Sequence, residues 1–170
     1  MTNAGKAKGN GWEREIAKFL TELYDESFLR VPSSGGYIGG KNASRIAGLS
    51  EEQVRIFKSD IIPGPSFPNL NIEGKFYKSF PFHQLVQGKC KQIDTWISQL
   101  LTASEEQSIN ILAMKFNNKG SFLAFEKKNV PPFIMAQHYI RYNSPNYGPW
   151  IIQDFKQFWH DNKDIVKAQK

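Results

Sequence analysis

The chain has 170 residues, a formal charge of +6 and one cysteine, Cys90. That length suits one domain with a substantial core and leaves little for a second, and 40% hydrophobic with 14% aromatic residues excludes a disordered chain. A lone cysteine excludes an intramolecular disulfide and any cysteine-based zinc site, and the basic balance points to a polyanionic partner without naming it.

Met1 to Gly11 is polar and rich in Gly and Lys, with no apolar h-region, so it does not read as a signal peptide. No apolar run approaches the roughly 20 residues needed to span a bilayer. The expectation is an intracellular, soluble protein, bacterial or phage-encoded. Residues 1–10 read as a flexible basic lead carrying Lys6 and Lys8. From Gly11 the pattern turns helical, because Trp12, Ile16, Phe19, Leu20 and Leu23 recur at spacings of three and four. Ser27 to Val31 predicts a short strand that Pro32 ends.

The stretch 33–58 is irregular, opening on Ser33-Ser34-Gly35-Gly36 and Gly39-Gly40-Lys41-Asn42. Ser50-Glu51-Glu52-Gln53 resembles a capping box and predicts a short helix over 51–57. Lys41, Arg45, Arg55 and Lys58 make this connection basic, so it either closes over a bound backbone or is a mobile surface loop. Asp60-Ile61-Ile62 predicts a strand that stops at Pro63-Gly64-Pro65, and Leu70 to Tyr77 predicts its hairpin partner. A helix is expected from about His83 to Ala103, with Leu85, Ile93, Ile97, Leu100 and Leu101 buried and Trp96 at the border. Cys90 in that helix reads as a packed thiol.

Ile109 to Phe116 predicts a buried strand, Asn117-Asn118-Lys119-Gly120 a hairpin turn, and Ser121 to Glu126 the return strand. Phe133 to Tyr142 fits a short helix or strand. Ile151 to Ala168 reads as a closing helix with Ile152, Phe155, Phe158, Trp159 and Ile165 apolar. The order predicts an α/β fold with a central mixed β-sheet flanked by helices. Residues 1–126 form the expected core, and 127–170 a C-terminal helical extension packed on it. The aromatic tail (Phe133, Tyr139, Tyr142, Tyr147, Trp150, Phe155, Phe158, Trp159) suits core and dimer packing better than stacking on bases. His83, His138 and His160 are scattered and lack metal-ligand spacing.

The chemistry-bearing pattern is Asp60-x(12)-Glu73-x-Lys75. In a strand, residues i and i+2 share a face, so Glu73 and Lys75 stand side by side while Ile72 and Phe76 turn toward a core. Both acids lie at or within apolar, β-rich runs, where a carboxylate wants a metal or a cation. Asp60, Glu73 and the Gly74 backbone carbonyl can supply oxygen ligands, which favour Mg²⁺ or Mn²⁺ over zinc. Lys75 can hold the attacking water or stabilise phosphate charge. The alternative is a solvent-facing Glu–Lys pair on an edge strand.

The helix start Lys8-Gly9-Asn10-Gly11-Trp12-Glu13-Arg14-Glu15, followed in order by Arg30 to Ser34, Asp60 and Glu73-Gly74-Lys75, resembles the archaeal Holliday junction resolvases. These belong to the PD-(D/E)XK nuclease superfamily. The resemblance spans residues 8–126 in topology and about a dozen residues in motif. It implies a restriction-endonuclease-like αβββαβ core and a Mg²⁺-dependent deoxyribonuclease of recombination or repair type, acting on DNA that is branched, as a homodimer. It assigns catalytic roles to Glu13, Asp60, Glu73 and Lys75. Asp60, Glu73 and Gly74 would ligate metal, and Glu13 would support it directly or through water. Lys8, Arg30, Ser33, Ser34, Lys41, Arg45 and Gln92 are the DNA-binding candidates. Glu15 is expected to face solvent or pair with Lys18 or Lys8. Ser59 stands where the pattern has proline, the connection to Asp60 is longer than in small resolvases, and the segment after 126 has no counterpart. A general repair, restriction-type or phage exo- or endonuclease, or a non-catalytic DNA-binding protein of the same fold, therefore stays open.

Overall fold

The structure is a computed structural model that describes residues 3–32, 48–50, 59–127 and 133–169. A five-stranded sheet lies in the middle, ordered β3-β4-β5-β7-β6. Its strands are β3 (Leu70–Tyr77), β4 (Ile109–Phe116), β5 (Gly120–Glu126), β6 (Ile140–Ser144) and β7 (Gly148–Asp154). A two-stranded ribbon pairs β1 (Leu29–Arg30) antiparallel with β2 (Ile61–Ile62). The helices are α1 (Asn3–Tyr24), α2 (Phe82–Val86), α3 (Lys91–Leu101), α4 (Phe155–Asp161) and α5 (Lys163–Lys167).

The sheet is mixed because β3 and β4 run parallel, joined across a connection that holds α2 and α3, whereas the remaining pairings are antiparallel. Strand β4 is buried on both faces, and its side chains sort by the two-residue period. Ile111 and Ala113 enter a core with Trp12, Ile16, Leu20, Ile72, Phe155 and Trp159 beneath α1 and α4. Leu112, Met114 and Phe116 enter the opposite core with Ile93, Trp96, Ile97 and Leu100 of α3. Three layers result, with the sheet between two helical faces.

Between β3 and β4, Asn71 and Asn110 face each other in register. The buried Asn71 Nδ2 donates to Asn110 Oδ1 at 2.9 Å and to the Leu100 carbonyl at 3.0 Å, while Asn110 Nδ2 donates to Ser104 Oγ at 2.9 Å. The connection before β3 is pinned to α1's end: Phe67 is buried against Tyr24 and Phe28, with ring centroids 4.5 and 5.2 Å apart. The Ser66 amide donates to Glu26 Oε2 at 3.1 Å, and hydrogen bonds from the Ser66 side chain and then its amide hold that carboxyl below its ordinary range.

Several expectations are corrected. Helix α1 begins at Asn3 rather than Gly11. Residues 3–10 are the first turns of that helix and not a separate lead. Gly9 and Gly11 have no close neighbour at the Cβ position, so no packing demands them. The long helix from His83 to Ala103 is two helices. Gly88 sits between them at φ +73, outside the helical region. Asp60–Ile62 and Leu70–Tyr77 are not a hairpin: β2 pairs with β1, β3 pairs with β4, and one backbone bond, Asp60 N to Ile72 O at 3.3 Å, links the two segments. The closing helix does not start at Ile151. Residues 148–154 are β7, paired with β5 and β6, and the Asp154 side chain caps α4 by accepting from the Gln157 amide at 2.9 Å. The segment after residue 126 thus extends the sheet by two strands as well as adding helices.

The Asn117–Gly120 turn is present, with Asn118 at φ 54 and Gly120 at φ 94. Phe133, Tyr142, Trp150, Phe155, Phe158 and Trp159 are buried in the two cores, while Tyr139 is exposed. Cys90 is a buried free thiol. The helix expected over 51–57 lies outside the described residues. Among the described residues no helix is long and apolar enough to cross a membrane.

Candidate active site

Three elements meet at the β3 edge of the sheet. Helix α1 crosses β3 at Gly74. A Cβ at Gly74 would stand 3.4 Å from Glu13 Cγ, 3.4 Å from Ile16 Cδ1 and 3.6 Å from Trp12 Cδ1. Trp12 Nε1 donates to the Ala113 carbonyl at 3.1 Å, which fixes the helix against β4 as well. The ribbon supplies the third element. Its Asp60 carbonyl accepts from the Val31 amide at 2.9 Å, and Ser59 Oγ donates to the Ile61 carbonyl at 3.0 Å.

These contacts put Asp60 over the middle of β3. Its Oδ2 accepts from the Gly74 amide at 2.9 Å. Asp60 is 7% exposed. Glu73 is close enough to Asp60 for a side-chain hydrogen bond, and Lys75 Nζ stands 2.5 Å from Glu73 Oε1. Glu73 and Lys75 are nearly buried, with side chains 13% and 16% exposed. The expected side-by-side placement of Glu73 and Lys75 is therefore present, and the solvent-facing pair is not what the strand shows.

Burial and the neighbouring Asp60 carboxylate push the Glu73 carboxyl up to about 7, against the opposing pull of Lys75. Two acids this close, only partly offset by one ammonium, form a locus of excess negative charge. That is the electrostatic condition a divalent cation relieves, and the oxygen donors present suit a hard ion. The residues fit such an ion on this ground.

Glu13 is arranged differently. Arg30 Nε stands 2.5 Å from Glu13 Oε2, and Arg30 Nη2 donates to Asn10 Oδ1 at 2.8 Å. Both partners of the ion pair are largely buried, at 17% and 12% exposure. Burial raises the Glu13 carboxyl above its ordinary value despite the Arg30 hydrogen bond, and Asp60 and Lys75 are near enough to act on it. Glu13 thus belongs to the same charge cluster while its carboxylate is turned to Arg30. Among the described residues no three His, Cys, Asp or Glu side chains gather into a cluster that could hold a metal ion. Asp60 and Glu73 are the close pair, and Glu13 adjoins them with its carboxylate bonded to Arg30.

The remaining candidates disperse. Lys8 is exposed, with its Nζ 5.9 Å from the centre of the Phe76 ring. Arg30 faces inward to Glu13 and Asn10. Gln92 is half-buried in the first turn of α3, one turn before Trp96. Ser33, Ser34, Lys41 and Arg45 lie outside the described residues. Glu15 pairs with Lys115 at 2.5 Å rather than with Lys18 or Lys8, and Lys18 instead pairs with Glu22 at 3.7 Å. The anchoring of Glu13 by Arg30 and Asn10 was not foreseen. The signal available was an arginine closing the strand that follows the acid's helix.

No curated protein and no solved structure matches the chain. The model of the family described as "Phage putative PDDEXK endonuclease" matches residues 4–167. That match runs through α1, the ribbon, the whole sheet and α4, including the strands after residue 126 that had no counterpart in the resolvase comparison. The chain belongs to this phage PD-(D/E)XK endonuclease family.

Proposed function

We propose that this protein is a Mg²⁺-dependent endonuclease that hydrolyses DNA phosphodiester bonds at the Asp60–Glu73–Lys75 cluster. The observation that carries the reading is the joining of those three side chains at one strand edge, with Asp60 Oδ2 tied to the Gly74 amide. Asp60, Glu73 and the Gly74 carbonyl would hold the ion. When bound, the ion neutralises phosphate charge and makes its coordinated water a stronger nucleophile. Mn²⁺ fits the same oxygen donors.

The chain's own groups divide the remaining work. Lys75, which stands against Glu73 Oε1, would donate to the attacking water and orient it toward phosphorus. Its positive charge also opposes the negative charge that grows on the phosphoryl oxygens. The water oxygen forms the new P–O bond and gives up its proton to solvent, the bond to the departing ester oxygen breaks, and a solvent proton neutralises that oxygen. Glu13, oriented by Arg30, would support the ion directly or through a water.

The finer reading is a structure-selective, homodimeric nuclease of the junction-resolving type, acting in recombination or repair. It rests on the Lys8 to Glu15 helix start and the acid order that follows. The test is incubation with supercoiled, linear, four-way-branched and single-stranded DNA, each with and without Mg²⁺. Cleavage confined to Mg²⁺ lanes supports the endonuclease reading. Preference for the four-way substrate supports the finer one, and equal cutting of unbranched duplex contradicts it in favour of a restriction-type phage nuclease. Absence of cleavage on every substrate contradicts both and leaves a DNA-binding protein of the same fold.

A further inference from the structure

The strand that carries Glu73 and Lys75 ends in an aromatic residue on the same face. Tyr77 follows Lys75 by two positions, so it lies about 7 Å further along the strand and about 13 Å from Glu73. It is 42% exposed. Its ring centroid is 4.9 Å from that of Trp96, at an interplanar angle of 39°.

Trp96 is a fixed support. It is buried, and it stacks on Phe80 at 5.5 Å and 27° and on Phe116 at 6.4 Å and 23°. Tyr77 is therefore a ring backed on one side by a rigid aromatic stack and open to solvent elsewhere. Lys78 and Ser79, next in sequence, are also exposed. Lys75 and Tyr77 share the strand face that carries Glu73, and the exposed Lys78 follows directly in sequence.

The other exposed large apolar side chains do not repeat this. Leu29 and Val86 have no ring. Ile134, Met135 and Tyr139 lie just before β6, at the opposite edge of the sheet from β3. Among the described residues, Tyr77 is the exposed large aromatic side chain on the strand of the reactive cluster.

We infer that Tyr77, backed by Trp96, is a stacking platform for an unpaired base next to the scissile phosphate, so that the substrate class is DNA with an unpaired nucleotide at the cleavage position. A base inside a duplex offers its face only to its neighbours in the stack. An extruded or single-stranded base can lie on an aromatic ring, and such stacking is sequence-tolerant because every base has a π-face. The exposed Lys78 would meet an adjoining phosphate. Tyr77 is a positioning residue here, since it touches the substrate away from the reacting atoms. The assignment rests on the endonuclease reading for its site and adds the substrate class.

The test compares parent, Tyr77→Ala and Tyr77→Phe on two sets of substrates of the same sequence: fully paired duplex, and duplex with a short unpaired bubble or flap. Cleavage is followed in Mg²⁺, and binding is followed in Ca²⁺ with 2-aminopurine at the unpaired position. Thermal melts establish that each variant is folded. The expected result is that Tyr77→Ala raises KM for the unpaired substrates by roughly five- to a hundredfold, with kcat little changed. It should also lose the 2-aminopurine quenching, while Tyr77→Phe keeps both. Equal effects of Tyr77→Ala on paired and unpaired DNA, or none on either, overturn the platform. If the parent cuts nothing yet shows quenching that depends on Tyr77, the platform stands and the endonuclease reading falls.

Discussion

Asp60 Oδ2 accepts a hydrogen bond from the Gly74 amide at 2.9 Å, so the acid from the ribbon is registered on the strand that carries Glu73 and Lys75. Gly74 serves a second purpose on its other side, where it lets Glu13, Ile16 and Trp12 of α1 come close. One backbone position thus sets the spacing of both the ribbon acid and the helix acid relative to β3. A methyl group at Gly74 would reach the three α1 atoms only at ordinary contact distance. Gly74→Ala is expected to fold with a stability change within about 1 kcal/mol and to retain cleavage. Gly74→Leu is expected to force α1 away, destabilising by about 1–3 kcal/mol. Urea denaturation and a cleavage assay on the two variants check this, and equal tolerance of both contradicts the close approach.

Glu73 gives the pH dependence. Its folded-state carboxyl is raised from 4.5 to about 7, chiefly by burial and then by Asp60. A raised carboxyl means that the folded protein holds its proton more tightly than the unfolded chain does. Its contribution to stability is therefore fully present below about 4.5 and is lost as pH rises to about 7. In the metal-free protein, stability is expected to fall over that window. Glu73→Gln should be more stable than the parent at pH 8, by roughly 1–3 kcal/mol, and the two should converge near pH 4.5. Adding Mg²⁺ should restore parent stability at pH 8 and leave the variant unmoved. Denaturant titrations at four pH values measure this, and a parent curve parallel to that of Glu73→Gln contradicts it.

Arg30 is the group to change for Glu13. Removing it leaves a largely buried carboxylate without its cation, which is costly in itself. Arg30→Ala is expected to destabilise by about 2 kcal/mol, raise the Glu13 carboxyl further and slow cleavage. Arg30→Lys should recover stability only in part, because a lysine cannot reach Glu13 and Asn10 together with a planar fork. The double variant Glu13→Gln with Arg30→Ala tests the coupling: if the two losses simply add, the pair is not what orients Glu13.

Much of this arrangement could be read from residue order, and the rest could not for definable reasons. Alternation over Leu70 to Tyr77 placed Glu73 beside Lys75 and turned Ile72 inward, since a strand's period is a local property. The Trp12-Ile16-Leu20 stripe identified α1 in the same way. The β7–α4 boundary was missed because Ile151 and Ile152 are followed by Phe155, Phe158 and Trp159, and a short apolar run fits either period. Asp154, a helix-capping residue type at the right place, was the signal that separated them. Gly88 likewise marked the break between α2 and α3. The pairing of β2 with β1, the Arg30–Glu13 bond and the support of Tyr77 by Trp96 are contacts between distant positions, and no local pattern encodes them.

The measurement that tests the central claim most directly is Mg²⁺-dependent DNA cleavage by Asp60→Ala, Glu73→Ala and Lys75→Ala, each shown to be folded and to bind DNA. The account predicts that all three lose cleavage by at least about a hundredfold while binding persists. Variants that cut as fast as the parent would contradict it and place the reaction elsewhere in the chain.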